Sequence, residues 1–394
     1  MVATKHRTPG KRRLAQGLRR QLEAAKRDRN PRVFFENVRE SFTLGHLGLE
    51  DISLRALFEE IIPQGREIVQ AWECNDFQEL SYIQEMDAVN TADFVKILTL
   101  AVSGTVLGDW ELPDLLQDRI ARVRTTNLDR ERITGIGEIG DKAKEVAEGQ
   151  PYPLAGVGPN WMDTPVTKKR GMIVPVTKEA IFFDRTGQLR DKCSQVVKWM
   201  RVNKEKRLIA LLIGNVNNYN WNGTSYSTYQ NGGANELFDN TIAGNPFVNH
   251  KSLQSVITQR SKLRSPDTNE PLDLGVNRLV LGPPELEPEF QRVFGAKEIR
   301  QTDGSTVTIG SNPAGGYNWV TSPYIRDLQG NSTDWYVGDP AAAFLYLQNW
   351  GITPETAGRG SEMDFTNDIV LRFKVSERAA EFVEEPRHMT KSTA

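Results

Sequence analysis

Apolar and polar positions alternate with different periods along this chain. From Gln188 to Ile213, Leu189, Cys193, Val196, Val197, Met200, Leu208, Leu211 and Leu212 recur at intervals of three to four, with a polar gap near Asn203. That spacing puts them on one face of an α-helix. At 1.5 Å per residue the helix would span roughly 39 Å, long enough to act as a strut. Between about Thr126 and Phe183 the pattern shifts to β-branched residues, glycines and prolines, including Gly149-Gln-Pro-Tyr-Pro and Val157-Gly-Pro-Asn-Trp161. Strand-like flanks around Arg130 to Lys144 and Pro165 to Phe183 bracket a polar, turn-rich tip, which predicts a long hairpin.

Before the hairpin, Phe34 to Leu116 reads as mostly helical. Ser53 is a candidate cap for the helix carrying Leu54, Leu57, Phe58, Ile61 and Ile62, which Pro63 stops. After the strut, residues 214 to 249 are rich in Asn, Gly, Tyr and Thr and predict turns and short strands. A mixed block follows: a helix bearing Leu253, Val256, Ile257 and Leu263, a strand at Val276 to Leu281, a turn at Gly282-Pro-Pro284, and a helix from Glu285 to Phe294. Further strands are expected at Tyr317 to Thr321, Trp335 to Val337, Ala342 to Leu347 and Asp368 to Val375, then at Ala379 to Glu385. The fold class is α+β, and no internal repeat is visible.

At 394 residues the chain exceeds the roughly 250 to 300 at which single cores divide, so at least two lobes are expected. Forty-nine basic against 51 acidic residues give a net charge of -2, which excludes a strong overall preference for nucleic acid. The N-terminus differs: residues 1 to 32 hold eleven Lys or Arg against Glu23 and Asp28, a local balance of +9. Leu14, Leu18, Leu22 and Ala25 form an apolar stripe within this arm. Its basic residues, among them Lys11, Arg12, Arg13, Arg19 and Arg20, have three readings. They neutralise nucleic-acid phosphates, pair with acidic surfaces of neighbouring subunits or a scaffold, or belong to a solubilising tail.

Cys74 and Cys193 are too few and too far apart for a disulfide framework or a cysteine zinc site, which points to synthesis in a reducing compartment. The N-terminus lacks the apolar core of a signal peptide. The best apolar stretch, Ile97 to Leu107, is about half the ~20 residues that span a bilayer, so neither a membrane nor a secreted protein is expected. Asn222-Gly-Thr and Asn331-Ser-Thr match the glycosylation sequon and read as loop sequence.

Catalytic signatures are sparse. The chain has no phosphate-binding G-x-x-x-x-G-K-[ST], no H-E-x-x-H, no paired C-x-x-C and no G-x-S-x-G. Its four histidines, His6, His46, His250 and His388, never share a helical turn. Gly135-Ile-Gly-Glu-Ile-Gly140 fits G-x-G-x-x-G and supports a distant alternative, a nucleotide-binding enzyme. The preceding Asp129-Arg-Glu-Arg-Ile-Thr is too charged for the buried strand such a site needs, so a glycine-rich flexible strand is preferred. Lys168-Lys169-Arg170 near Trp161 is either a nucleic-acid patch or a solvated surface meeting an acidic neighbour, the latter preferred. Glu285, Glu287 and Glu289 suit the positive end of a helix better than a metal site. No cofactor and no metal are expected.

The order of basic arm, glycine-rich hairpin, strut helix, mixed block and final strand pair resembles that of the tailed-bacteriophage major capsid proteins of the Hong Kong 97 fold, particularly the heads of Mu-like phages. Ala180-Ile-Phe-Phe-Asp-Arg-Thr-Gly-Gln-Leu resembles the passage from that family's extended loop into its spine helix. Leu279-Val-Leu-Gly-Pro-Pro-Glu-Leu-Glu-Pro looks like its entry into the axial domain. Ser322-Pro-Tyr-Ile, Asp334-Trp-Tyr-Val and Phe365 to Glu377 fall in the expected order, and the likeness covers roughly residues 85 to 394.

The resemblance implies an arm and helical region at 1–84 and a first peripheral segment at 85–125. It places the extended loop at 126–183, the spine helix and peripheral domain at 184–248, the axial domain at 249–349 and closing strands at 350–394. It implies a non-enzymatic subunit that forms pentamers and hexamers of an icosahedral shell around double-stranded DNA held without sequence specificity. Portal, scaffold or decoration proteins would be its partners, assembly in the host cytoplasm its origin and the virion its destination. Lys142, Lys144, Trp161, Lys168, Lys169 and Arg170 would lie on the inter-subunit loop, with no crosslinking expected. An encapsulin-type nanocompartment shell is the near alternative.

Overall fold

The computed structural model describes residues 116–134, 160–177, 186–216, 219–233, 236–264, 279–303, 306–315, 317–357 and 369–394, with a few isolated positions besides. The basic arm and the Gly135–Gly140 motif lie outside them, as does the helix expected after Ser53 save for Arg55 and Glu59, which are helical and paired at 2.8 Å. The chain forms two compact units, each gathered from separate segments: Met1–Pro113, Lys169–Val202 and Ile352–Glu377 in the first, Asp114–Lys168, Asn203–Gly351 and Arg378–Ala394 in the second.

Helix α1 (Gln117–Ile120) leads into β1 (Arg122–Thr125), β2 (Arg132–Thr134), β3 (Trp161–Asp163) and β4 (Lys168–Thr177). The strut follows as α2 (Thr186–Leu212), 27 residues and about 40 Å long at 1.5 Å per residue. Its apolar stripe is buried at Leu189, Cys193, Val197 and Met200, and again at Leu208, Ile209, Leu211 and Leu212. The polar gap at Asn203 is exposed, which matches the break in period.

In the first unit, β4 neighbours the early part of β14 (Ile369–Val383), which in turn neighbours the late part of β13 (Phe344–Ala357). Gly171 in β4 crosses the β14 backbone closely, since a Cβ there would stand 2.5 Å from Val375 O. Lys374 of β14 pairs with Glu355 of β13. The Lys374 ammonium, chiefly by its hydrogen bond, holds the Glu355 carboxyl below the usual range.

The second unit is built on a mixed five-stranded sheet. Its remaining elements are β5 (Tyr219–Trp221), β6 (Thr224–Tyr226), β7 (Thr241–Ile242), α3 (His250–Ser261), β8 (Leu279–Gly282), α4 (Glu287–Gly295), β9 (Glu298–Asp303) and β10 (Thr306–Ser311). After them come β11 (Asn318–Thr321), α5 (Pro323–Gln329), β12 (Trp335–Gly338), α6 (Pro340–Ala343) and β15 (Met389–Ser392). The sheet order is β11-β8-β12-β15-β7. β8 runs parallel to β11, β12 antiparallel to β8 and β15, and β7 parallel to β15.

Strand alternation divides the core between the two faces of this sheet. Val280, Trp335 and Val337 join Leu253, Val256, Phe290 and Val293 of α3 and α4 on one face. Leu281 and Tyr336 join Leu208, Leu212, Phe344 and Phe382 on the other. Phe247 fills the first cluster edge-on, its ring 4.7 Å from Phe290 and 4.9 Å from Trp335, a favoured aromatic geometry. The Trp335 indole N–H donates to Asn245 O at 3.0 Å, which satisfies the one polar atom that its burial would strand.

Two expected elements differ. Residues 342 and 343 are helical, because Asp339 accepts the Ala342 N–H at 3.3 Å and Pro340 starts the turn, a capping signature that outweighs the apolar run. The closing strand is also longer than the sequence pattern suggested. β14 runs unbroken from Ile369 to Val383, and a further strand, β15, follows a turn at Pro386–His388.

Candidate assembly surfaces

The first flank of the expected hairpin, β2, pairs with β3 in a short antiparallel sheet, β2-β3-β5-β6, in which Arg132 faces Asp163 and Met162 faces Trp221, whereas the expected second flank, β4, lies beside β14 in a different sheet. Trp161 is half-buried. The Arg132 guanidinium stacks 3.6 Å from the centre of its ring, a cation–π contact. The turn between β5 and β6 also packs against this ring. Asn222, at φ 49, accepts the Trp161 N–H at 2.9 Å and donates its own N–H to Trp161 O at 3.0 Å. A Cβ on Gly223 would lie 3.2 Å from the indole. The Asn-Gly sequence supplies the two left-handed positions that a tight hairpin turn needs.

A polar clamp fixes the loop that enters β2. Asp129 accepts the Thr167 N–H at 3.1 Å and also its hydroxyl. Arg378 reaches Asp129 at 2.9 Å and Thr167 Oγ1 at 2.9 Å. The Thr167 hydroxyl, with Arg378 adding to it, holds the Asp129 carboxyl below its ordinary range. Asn349 donates to Thr126 O at 2.9 Å and Leu128 O at 3.1 Å. Thr164 and Glu131 are bonded through both N–H groups and the Thr164 hydroxyl. These bonds tie the strand entering the hairpin and the strand leaving it to Asn349 within β13 and Arg378 within β14, so the hairpin base is a fixed platform.

Lys168 and Lys169 are exposed at the start of β4, and Arg170 is half-buried. Lys142, Lys144, Lys11, Arg12, Arg13, Arg19 and Arg20 lie outside the described residues. Glu285 precedes α4 and pairs with Arg326 at 3.0 Å. Among the described residues no three or more His, Cys, Asp or Glu are grouped to hold a metal ion, and no helix is long and apolar enough to cross a membrane.

Exposed apolar side chains escaped the sequence reading. In the first unit Met172, Ile173, Phe183 and Trp199 are 42%, 58%, 61% and 56% exposed; in the second, Val123 and Leu128 beside the hairpin base are each 55% exposed. Only the fold distinguishes the face that packs from the face that does not. Ile309 is 57% exposed on the β9–β10 ribbon, a two-stranded sheet of a kind that is marginal alone in water. Apolar groups on such elements suit protein contact.

A family model described as phage capsid protein matches residues 162–392, more than half of the chain. No curated protein matches the sequence. Solved structures with a similar chain path include a virus-like particle from Pyrococcus furiosus, at 10% identity and TM-score 0.40, covering 73% of this chain and 96% of that one. Mycobacterium phage Che8 gives 15% identity and TM-score 0.40, covering 67% and 84%. The holo encapsulin complex from Synechococcus elongatus gives 12% identity and TM-score 0.40, covering 71% and 89%.

Proposed function

The chain belongs to the phage capsid protein family, and from that premise we propose that it is the major subunit of an icosahedral head of the Hong Kong 97 type, enclosing double-stranded DNA. The match across residues 162–392 carries this reading. It takes in β3, β4, the strut, the mixed sheet and nearly all of the C-terminal strands. The subunit is structural and catalyses no reaction. A shell is made from self-complementary surfaces repeated by symmetry, and exposed apolar side chains on a fixed hairpin base and a long helix supply such surfaces.

Residues 126–183 serve as the extended loop, 249–349 as the axial domain of pentamers and hexamers, and 184–248 with 350–394 as the peripheral domain. Lys142, Lys144, Lys168, Lys169 and Arg170 meet neighbouring subunits, while the arm with Lys11, Arg12, Arg13, Arg19 and Arg20 faces DNA or a scaffold. Assembly takes place in the host cytoplasm, with portal and decoration proteins as further partners. Electron microscopy of the purified, concentrated protein and of cells expressing it tests the reading. Closed shells or capsomers are expected; a strictly monomeric particle under every assembly condition would overturn it.

A further inference from the structure

The sequence holds two Asn–Gly dipeptides, Asn222–Gly223 and Asn231–Gly232, and the fold treats them differently. Glycine has no Cβ to obstruct its own amide nitrogen and turns freely, so that nitrogen can approach the carboxamide of a preceding asparagine. At the first dipeptide the carboxamide is pinned. Asn222 Oδ1 accepts the Trp161 N–H at 2.9 Å, Nδ2 donates to Asn160 Oδ1 at 2.9 Å, and Gly223 lies against the Trp161 ring. Reaction there would require the base of the hairpin to open.

At the second dipeptide the backbone is held but the carboxamide is not. Asn231 is exposed. One carboxylate oxygen of Glu236 accepts the N–H groups of Asn231 and Gly233, each at 2.8 Å, and passes over Gly232 between them. Asn231 bridges Asp239 in antiparallel register, and among the described residues its carboxamide takes part in no hydrogen bond. Gly232 sits at φ +75, in the left-handed region that glycine enters without strain.

We propose that Asn231 is a site of spontaneous deamidation, and that the fold protects Asn222 from the same reaction. The Gly232 nitrogen, losing its proton to hydroxide, attacks Asn231 Cγ; the new C–N bond forms as the Cγ–Nδ2 bond breaks, and ammonia leaves with a proton from water. Water then opens the five-membered imide at either carbonyl, giving aspartate or isoaspartate. No oxidant, metal or enzyme is needed.

The product adds one negative charge beside Glu236. Its isoaspartate form also lengthens the main chain by one carbon inside a loop closed by the Asn240 N–H to Gln230 O bond of 3.0 Å. The buried Asn240 carboxamide independently holds Thr228 O, Pro386 O and Met389 O, each at 3.1 Å. The change therefore marks the loop while leaving the fold intact.

Peptide mapping of the full-length protein, aged in mildly alkaline buffer at physiological temperature, tests this. The expected result is an amide-to-acid mass gain that accumulates at residue 231, split between aspartate and isoaspartate, with residue 222 unchanged. The same protein aged in urea is expected to react at both sites, and a Gly232→Ala variant to lose the reaction at 231. Reaction at 222 as fast as at 231 in the folded protein would overturn the proposal. So would an intact Asn231 over a period in which a synthetic peptide of residues 228–236 converts.

Discussion

Arg387 grips the carboxylate of Glu385 two residues before it, Nε standing 2.6 Å from Oε1 and Nη2 2.6 Å from Oε2. Both side chains are almost wholly buried, at 2% and 5% exposed. With Pro386 between them they turn the chain from β14 into β15, which pairs with β12 at the centre of the main sheet. Around that turn, Arg260 donates to His388 O at 2.7 Å.

Removing one member of such a pair strands a buried charge, which costs about 3–5 kcal/mol. Glu385→Gln or Arg387→Met alone is expected to lower the urea unfolding free energy by that order. Replacing both with apolar residues is expected to cost clearly less than the sum of the two single changes. Strict additivity in the double-mutant cycle would show that the two groups act independently.

Gly338 ends β12 at φ +155, and a Cβ there would stand 2.0 Å from His388 O. Neither backbone can retreat, because Gly338 pairs with Met389 in the sheet. Gly338→Ala is expected to destabilise the subunit by at least about 2 kcal/mol, read as a lower thermal unfolding midpoint. Gly330 also has a positive φ, but a Cβ there meets nothing within 4 Å. Gly330→Ala is expected to cost less, about 1 kcal/mol, from backbone strain alone.

His388 provides a pH-dependent contribution. Burial lowers its pKa below the ordinary 6.5; Arg260 and Arg387 push the same way, and Glu385 and Asp339 oppose them. Its Nδ1 is buried without a hydrogen-bond partner. The unfolded chain therefore takes up a proton near pH 6.5 that the folded chain refuses. Stability is fully present above that pH and declines as pH falls toward the lowered folded-state value. Unfolding midpoints between pH about 6.5 and about 5, above most carboxylate titration, are expected to fall more steeply in the parent than in His388→Phe. Parallel profiles would remove His388 from the account.

Trp161 and Arg132 form a structural pair at the base of the hairpin. Trp161→Ala and Arg132→Ala are each expected to cost about 1–2 kcal/mol, with a coupling between them in a double-mutant cycle. If Trp161 instead stacked on nucleic-acid bases, its replacement would weaken single-stranded DNA binding and leave stability unchanged.

The strut helix was legible in the sequence because a stripe with a period of three to four has one structural solution. Its residues from Leu189 to Leu212 pack as that period requires. The Pro-Pro turn into α4 and the half-buried strand at 369–375 were readable for a similar reason, since local chemistry alone fixes them. β15 was not, because Met389-Thr-Lys-Ser carries little strand signal and becomes a strand only by pairing with β12 and β7.

The surfaces divide in the same way. Basic residues and Trp161 stood out by type, but contacts made across sequence distance decided that Trp161 lies under Arg132. Such contacts also decided that Asp129, Asn349 and Arg378, far apart in the chain, form one clamp. Sequence by itself determined the periodic elements and their order, because propensity and apolar spacing act between near neighbours. Tertiary structure decided which apolar faces stay exposed and which charges are buried in pairs, because burial depends on residues that meet only once the chain has folded.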